Sequence, residues 1–399
     1  MFSSLKVKNF RVYWFGMLIS LVGTWIQVTA QGWLVFQLTN SVFLLGFVAF
    51  LSSVPIFLLS LFGGVVADRI QKKKILLFTQ TAFMFLAFIL AILTQFKLIT
   101  AWQIMVIAVL NGVVMAFDAP SRQSVVVELV GKENLLNAIA LNSAAFNSSR
   151  MIGPALAGIF IATIGMSGCF YINGVSFLAV IIALLMIKVN GGVIKRESKG
   201  VLIHDLMEGL KFIRKHRIML VLVVMVGITS LFGVSYTTFM PVFANDILKV
   251  GVKGLGMLMS ATGVGALIAA LFLARLGDFK HKGRLLISSA MIFSLSLVFF
   301  AASRSYPLSL ISLILLGWAS VTAISLINTV LQQLVPDEFR GRLMSVFMFT
   351  FAGFMPFGNL LAGSLAHSWG VPLTVMLSGV ICTVFFMAIT IFYPEIKNI

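Results

Sequence analysis

Arg150 stands in the stretch NSSRMIGPALAG, residues 147–158, with apolar sequence on both sides long enough to cross a membrane. A guanidinium keeps its charge at any physiological pH. Placed at the middle of a membrane helix it costs about 2.5–3.5 kcal/mol on insertion scales, so it must face water, a polar partner or a ligand. No acidic residue lies well inside any apolar run of this chain. That leaves Asn142, Asn147 and Ser148 on the same segment, a backbone carbonyl, water or an anionic substrate. The alternative is a position nearer the helix end, with Arg150 paired to Asp118. Three residues on, Gly153-Pro154 opens the run GPALAG. Proline removes a backbone donor and bends the helix, and Gly153, Ala157 and Gly158 on one face admit a close neighbour. The run is either a plain packing kink or the packing surface of a gate, and the recurrence of small residues on one face favours the gate.

A second set of charges lies in GGVVADRIQKKKIL, residues 63–76, and in DAPSRQ, residues 118–123. Gly63 and Gly64 permit close helix packing ahead of Asp68, Arg69, Lys72 and Lys73. An acid at a helix end can pair with a cation or cap a neighbouring helix. Such a pair acts as a latch that holds one conformation and releases in another. The candidate partners of Asp68 are Arg69, Arg122 and the helix start near Arg340 and Arg342. The lysines read as topology charges; Asp68 does not.

Other chemistry is not supplied. The four histidines, His204, His216, His281 and His367, have no metal-ligand spacing. Cys169 and Cys382 fall in apolar segments as small hydrophobes. No nucleophile elbow, Walker loop or dinucleotide fingerprint is present. The expectation is therefore no enzyme, no metal and no cofactor.

The elements that must carry these residues are membrane helices. The chain has 399 residues, of which 60% are hydrophobic and 10% charged, against about 25% charged in soluble proteins. Its mean hydropathy is +1.08. Windows of about 20 apolar residues place twelve helices near 10–38, 42–67, 75–96, 100–121, 134–163, 168–188, 217–246, 253–276, 285–303, 306–332, 342–366 and 370–394. The first is too long for a signal-peptide core and lacks a cleavage site. The fold class is thus an all-α polytopic membrane protein. Of 29 Lys and Arg, 24 fall on one side of this topology and four (Lys97, Lys249, Lys253 and Arg304) on the other, with Arg150 alone between. The positive-inside rule then sets both termini in the cytoplasm. The net charge of +17 reflects topology and attraction to anionic lipid, which removes nucleic acid as a partner.

The chain also repeats itself. At an offset of 210, Asp68 falls on Asp278, Lys72 on Lys282 and Leu76 on Leu286; at 205, GPALAG falls on GNLLAG and Gly165 on Gly370. Two parallel six-helix repeats follow, 1–188 and 217–399, joined by 189–216. Within the joint, HDLMEGLKFIRKHR reads as an amphipathic interfacial helix with Leu206, Leu210 and Ile213 on one face, while 189–202 reads equally as a solvated linker. A cavity between repeats, opened alternately to each side, is a transporter architecture.

The sequence resembles the major facilitator superfamily over essentially its whole length. Residues 63–76 are similar to its signature loop, with Gly64, Asp68, Arg69, Lys72 and Lys73 matching and Gln71 in place of a second glycine. GTWIQVTAQGWLVFQLTNS (23–41), DAPSRQSVVVELVGKENLLNAIALNS (118–143), RMIGPALAG (150–158) and EGLKFIRKHR (208–217) resemble the drug:proton antiporter branch that includes enterobactin-exporter-like and macrolide-exporter-like permeases. The resemblance implies a gate and charge relay at Gly64, Asp68, Arg69, Lys72, Asp118 and Arg122, and a helix 5 antiporter motif at Arg150, Gly153, Pro154 and Gly158. It implies a cavity lined by helices 1, 4, 7 and 10. The cavity candidates are Trp25, Gln27, Gln31, Asn111, Asn142, Asn147, Arg150, Tyr236, Thr237, Trp318, Asn328 and Gln332. Proton coupling is part of the same implication: Gln27 and Gln31 do not titrate, which leaves Asp118 as the candidate.

A cavity with many apolar residues and few charges suits an amphiphilic organic molecule. The expected function is export of drugs or siderophores by alternating access with proton antiport, from the inner membrane of a bacterium, by a monomer in contact with membrane lipid. The competing functions are a lipid or lysolipid flippase without proton coupling and a non-transporting scaffold or sensor on the same fold.

Overall fold

The computed structural model describes residues 3–131, 133–187, 202–277 and 279–398, without the side chains at 61, 68, 202–206 and 337. Among the described residues all regular structure is helical. In chain order the helices are α1 (Lys8–Thr39), α2 (Val42–Arg69), α3 (Lys72–Gln95), α4 (Ala101–Val130), α5 (Leu135–Met186), α6 (Leu202–Lys215) and α7 (Arg217–Ile228). They continue with α8 (Gly251–Leu276), α9 (Lys282–Ala302), α10 (Tyr306–Leu334), α11 (Asp337–Trp369) and α12 (Val371–Phe392). Past Ile228 the seventh span runs on to Ile247 through π turns at Thr229–Gly233 and Phe243–Ile247 and a 3-10 turn at Ser235–Phe239.

Eleven of these helical stretches are long and apolar enough to cross a membrane. One of them, α5, has 52 residues. A straight helix of that length would measure about 78 Å, more than twice the ~30 Å hydrocarbon core. It breaks at Gly165, where φ is 78° and ψ 177°, a conformation that side chains with a Cβ rarely adopt. The chain then doubles back, because Val180, Leu184 and Ile187 share a buried cluster with Ala138 and Leu141. Two crossings result, which makes twelve among the described residues. The equivalent residue 205 positions on, Gly370, has φ 81° and ψ 155° and divides α11 from α12 in the same way. The repeat seen in the sequence is therefore repeated as backbone geometry.

Close packing repeats as well. A Cβ on Gly112 of α4 would lie 2.4 Å from the Ser52 carbonyl oxygen, and one on Gly317 of α10 would lie 2.1 Å from that of Thr262. The two glycines are 205 residues apart and their partners 210. Where α4 was expected to end near residue 121, it runs to Val130 and stops at Gly131, φ 67°. Pro120 removes one helix donor but leaves the following turns free to propagate.

The chain divides into two compact units. The first comprises Met1–Asn40, Leu51–Glu197 and Gly251–Ser260; the second comprises Ser41–Phe50, Ser198–Val250 and Ala261–Ile399. Ten residues from each repeat thus pack with the other repeat's unit. In the first unit Gly158 of α5 meets the backbone of Gly256, and in the second Gly363 of α11 meets that of Gly46, again at offsets of 205 and 210. Of the expected linker, residues 189–201 lie outside the described residues. Its remainder is α6, whose Gly209 touches the Arg342 carbonyl while Phe212 stacks on Phe339 at 4.4 Å. Ile213 is buried as expected, but Leu210 is 59% exposed, because the face toward α11 is set by Gly209, Phe212 and Ile213.

Candidate functional site

The chemistry of the first unit centres on Asp118, which α4 buries completely. Four donors converge on its carboxylate. Thr79 Oγ1 (2.7 Å) and Gln80 Nε2 (2.6 Å), both of α3, donate to Oδ1. Arg122, one turn on in α4, donates to Oδ2 through Nε at 3.0 Å and through Nη2. Burial of a carboxylate is tolerated only when it is paired and hydrogen-bonded, and this one is. Tyr13 of α1 lies within electrostatic reach of both Asp118 and Arg122, and its buried hydroxyl has no hydrogen-bond partner. Gln80 Oε1 is likewise buried and unpartnered. Phe10, Met17, Leu76 and Val125 belong to the apolar cluster that also holds Tyr13. Among acids whose side chains are described, Asp118 is the one that is buried.

The sequence grouped Asp118 with the residues of 63–76, and the structure sorts that group. The Asp68 side chain lies outside the described residues, so its pairing does too. Arg69 is exposed. Gly64 has open space where a Cβ would stand, whereas a Cβ on Gly63 would come 2.1 Å from the Ala116 carbonyl oxygen. The helix-packing glycine is thus Gly63 and not Gly64. Ala116 is four residues before Pro120, so its carbonyl lacks the helix donor that proline cannot supply, and Gly63 is small enough to approach it.

Two lysines that were read as topology charges have structural partners. Lys72, 8% exposed as a residue, pairs with Glu128 of α4 at 2.7 Å. Lys73 Nζ donates to the Ile187 carbonyl at 2.8 Å, capping the end of α5 where the helix dipole is negative. Glu128 was missed; its position ten residues after Asp118 gave no helical signal tying it to Lys72. Replacing Lys72 by Met should lower stability by about 1–3 kcal/mol, less than the 3–5 kcal/mol of a fully buried pair because the Glu128 side chain stays 18% exposed. Thermal unfolding in detergent checks this, with exposed Lys74→Met as the reference; equal melting points for the two variants would contradict it.

Arg150 lies near the middle of the first limb of α5, fifteen residues from Leu135 and fifteen from Gly165. It does not pair with Asp118, whose oxygens are taken by Arg122, Thr79 and Gln80. Its guanidinium carbon stands 5.9 Å from the Trp25 ring centre, a cation–π contact from α1. Phe146, one turn back, meets the Trp25 ring edge-on at 5.8 Å. The helix motif explains the placement. A Cβ on Gly153 would come 2.4 Å from Trp25 Cβ, so glycine there lets α1 bring the indole beside Arg150. Gly158 serves the contact with Gly256 described above, and Pro154 is buried between them.

The remaining cavity candidates divide into those that stay accessible and those that do not. Gln27 is buried, accepting a bond from Asn173 Nδ2 at 2.7 Å, and so joins α1 to the second limb of α5. Tyr236 is buried in the second unit beside Phe300. Asn111 and Asn147 each spend an amide on a backbone carbonyl one turn back, leaving the rest of the side chain half-buried. Trp25, Gln31, Asn142, Thr237, Trp318 and Asn328 are half-buried, and Gln332 is exposed and donates to Asn328 Oδ1. Asn173 was missed because it sits in an apolar run with no periodic cue. No group of three potential metal ligands occurs among the described residues.

Comparison with known proteins agrees with this architecture. The chain is 27% identical to the staphyloferrin A transporter of Staphylococcus aureus (strain NCTC 8325 / PS 47), over 90% of each chain. It is 23% identical to the multidrug efflux pump Tap of Mycolicibacterium fortuitum, over 91% of this chain and 90% of that one. Among solved structures, the nucleoside transporter NupG superposes with a TM-score of 0.73 at 15% identity, covering 96% of this chain and 99% of that one, which establishes a shared fold. The model of the transmembrane secretion effector family matches residues 1–398. The protein is a multi-pass membrane transporter, and it belongs to the transmembrane secretion effector family of the major facilitator superfamily.

Proposed function

We propose that this protein exports amphipathic small organic molecules across the inner membrane of a bacterium by alternating access, in exchange for protons, with both termini in the cytoplasm. The observation that carries the coupling is the buried Asp118, held by Arg122, with the unpartnered Tyr13 hydroxyl within electrostatic reach of both. Protonation of Asp118 removes the charge that holds Arg122 and turns one acceptor oxygen into a donor. The released guanidinium then has the unpartnered Tyr13 hydroxyl of α1 within its electrostatic reach as an alternative acceptor. A proton arriving at α4 is thereby converted into a rearrangement of α1, α3 and α4. Gly63 and Gly158 supply the close helix contacts that such a rearrangement would work against, and Asp68 with Arg69 is assigned the latch at the end of α2.

The substrate class rests on two things. The relatives named above include a staphyloferrin A transporter and a multidrug efflux pump by name, and the accessible cavity candidates of the first unit, Trp25, Gln31, Asn111, Asn142, Asn147 and Arg150, carry a single charge. Cells overproducing the protein should accumulate less norfloxacin, a fluorescent amphipathic drug, than cells overproducing Asp118→Asn. Collapse of the proton gradient with a protonophore should erase the difference. Equal accumulation in the two strains before the protonophore is added would speak against export linked to Asp118.

A further inference from the structure

We infer that Arg150 and Trp25 form a recognition site for the carboxylate of an organic anion that also carries an apolar group. This rests on the transport reading above and narrows its substrate. Arg150 has an aromatic neighbour but, among the described residues, no acid and no hydrogen-bond acceptor. Among the described side chains of the first unit, Asp118 is matched by Arg122, Lys72 by Glu128, and Lys73 by the Ile187 carbonyl. A half-buried guanidinium in the middle of a membrane helix with its fork of donors unused is a binding group in want of an acceptor.

The surroundings specify the ligand further. Ser143, Asn147 and Arg150 recur at intervals of four and three, which places them on one helix face, and none of them is buried. That face is polar enough to be wetted. Beside it stand the Phe146 and Trp25 rings, which are apolar surface for the body of a ligand. A planar fork matches a carboxylate through two parallel hydrogen bonds, a geometry lysine does not offer. The Trp25 contact, 5.9 Å from the guanidinium carbon to the ring centre, engages the charge without spending its N–H groups on an acceptor. Gly153 is the residue that makes this possible, since any side chain there would push Trp25 away.

The test is protection of Arg150 from phenylglyoxal, an arginine reagent, in wild-type protein reconstituted in phosphatidylcholine liposomes, with peptide mass spectrometry as the readout and exposed Arg69 as the internal reference. The competitors are norfloxacin and salicylate, each paired with its methyl ester. The site predicts that Arg150 is labelled and that carboxylate at about ten times its Kd slows its labelling about tenfold, as occupancy of one site requires, while the esters do not and Arg69 is unaffected. Equal effects of acid and ester, or no protection by either acid, would overturn it. So would an Arg150 that is never labelled while Arg69 is, since the fork would then not face water. Protection only when phosphatidylglycerol replaces phosphatidylcholine would assign the place to a lipid headgroup and overturn it likewise. Because the readout is occupancy and not transport, protection without proton-linked export would leave this site standing and remove the coupling, and export without protection would do the reverse.

Discussion

Asp118→Ala is expected to abolish transport and to lower stability by about 2–4 kcal/mol. The substitution leaves the Arg122 guanidinium without its counter-charge and strips Thr79 Oγ1 and Gln80 Nε2 of their acceptor. Breaking a fully buried pair costs about 3–5 kcal/mol; the Arg122 side chain is 24% exposed, so water recovers part of that. The double variant Asp118→Ala/Arg122→Leu should regain most of the melting temperature, because the uncompensated charge is gone, yet remain inactive. This split separates the two roles of the pair. Thermal unfolding in detergent and norfloxacin transport by the same preparations provide the check. A single variant that melts like wild type would show that the carboxylate is not the anchor of α3 on α4, and an active double variant would show that transport does not use it.

Gly63→Val carries the second large effect. A Cβ at residue 63 would overlap the Ala116 carbonyl oxygen at 2.1 Å, a contact with backbone that no rotamer change relieves. Forcing extra volume into a packed contact costs about 1–3 kcal/mol, sometimes more. The adjacent Gly64→Val has open space and should leave the melting temperature unchanged or slightly raised, since glycine is a poorer helix former than valine. The two substitutions differ by one position and not in chemistry. Similar melting temperatures for both would contradict the α2–α4 contact.

Which parts of this architecture the sequence revealed follows from the kind of signal each part leaves. Twelve spans were readable because membrane burial demands about 20 apolar residues each time, and Gly165 and Gly370 were visible as equivalents because a positive φ restricts the residue type in both repeats. The Asp118–Arg122 pair was not read from the sequence: with the helix expected to end near residue 121, Arg122 was offered as a partner of Asp68, and only its continuation to Val130 brings Arg122 one turn from Asp118. Nor were Thr79 and Gln80, since contacts across helices depend on rotation and depth, which composition does not encode. For the same reason Gln27 was assigned to a cavity although it turns toward Asn173, and Tyr236 although it is buried beside Phe300. Polarity identified these side chains as functional or structural; only packing told which. The glycine pair 63–64 makes the point most sharply, as two identical neighbours differ solely in what faces them. Arg150 was legible as an anomaly, a charge in an apolar run, while Trp25 as its partner required the approach of α1 that Gly153 allows.

The most direct test of proton exchange is a single recording of lumen pH and drug movement together. Proteoliposomes carrying the purified protein and a trapped pH-sensitive dye are presented with external norfloxacin. Drug entry should be accompanied by loss of protons from the lumen, seen as alkalinisation, and Asp118→Asn should abolish both. Norfloxacin entry at the wild-type rate with no change in lumen pH would contradict proton antiport and leave the protein a facilitator.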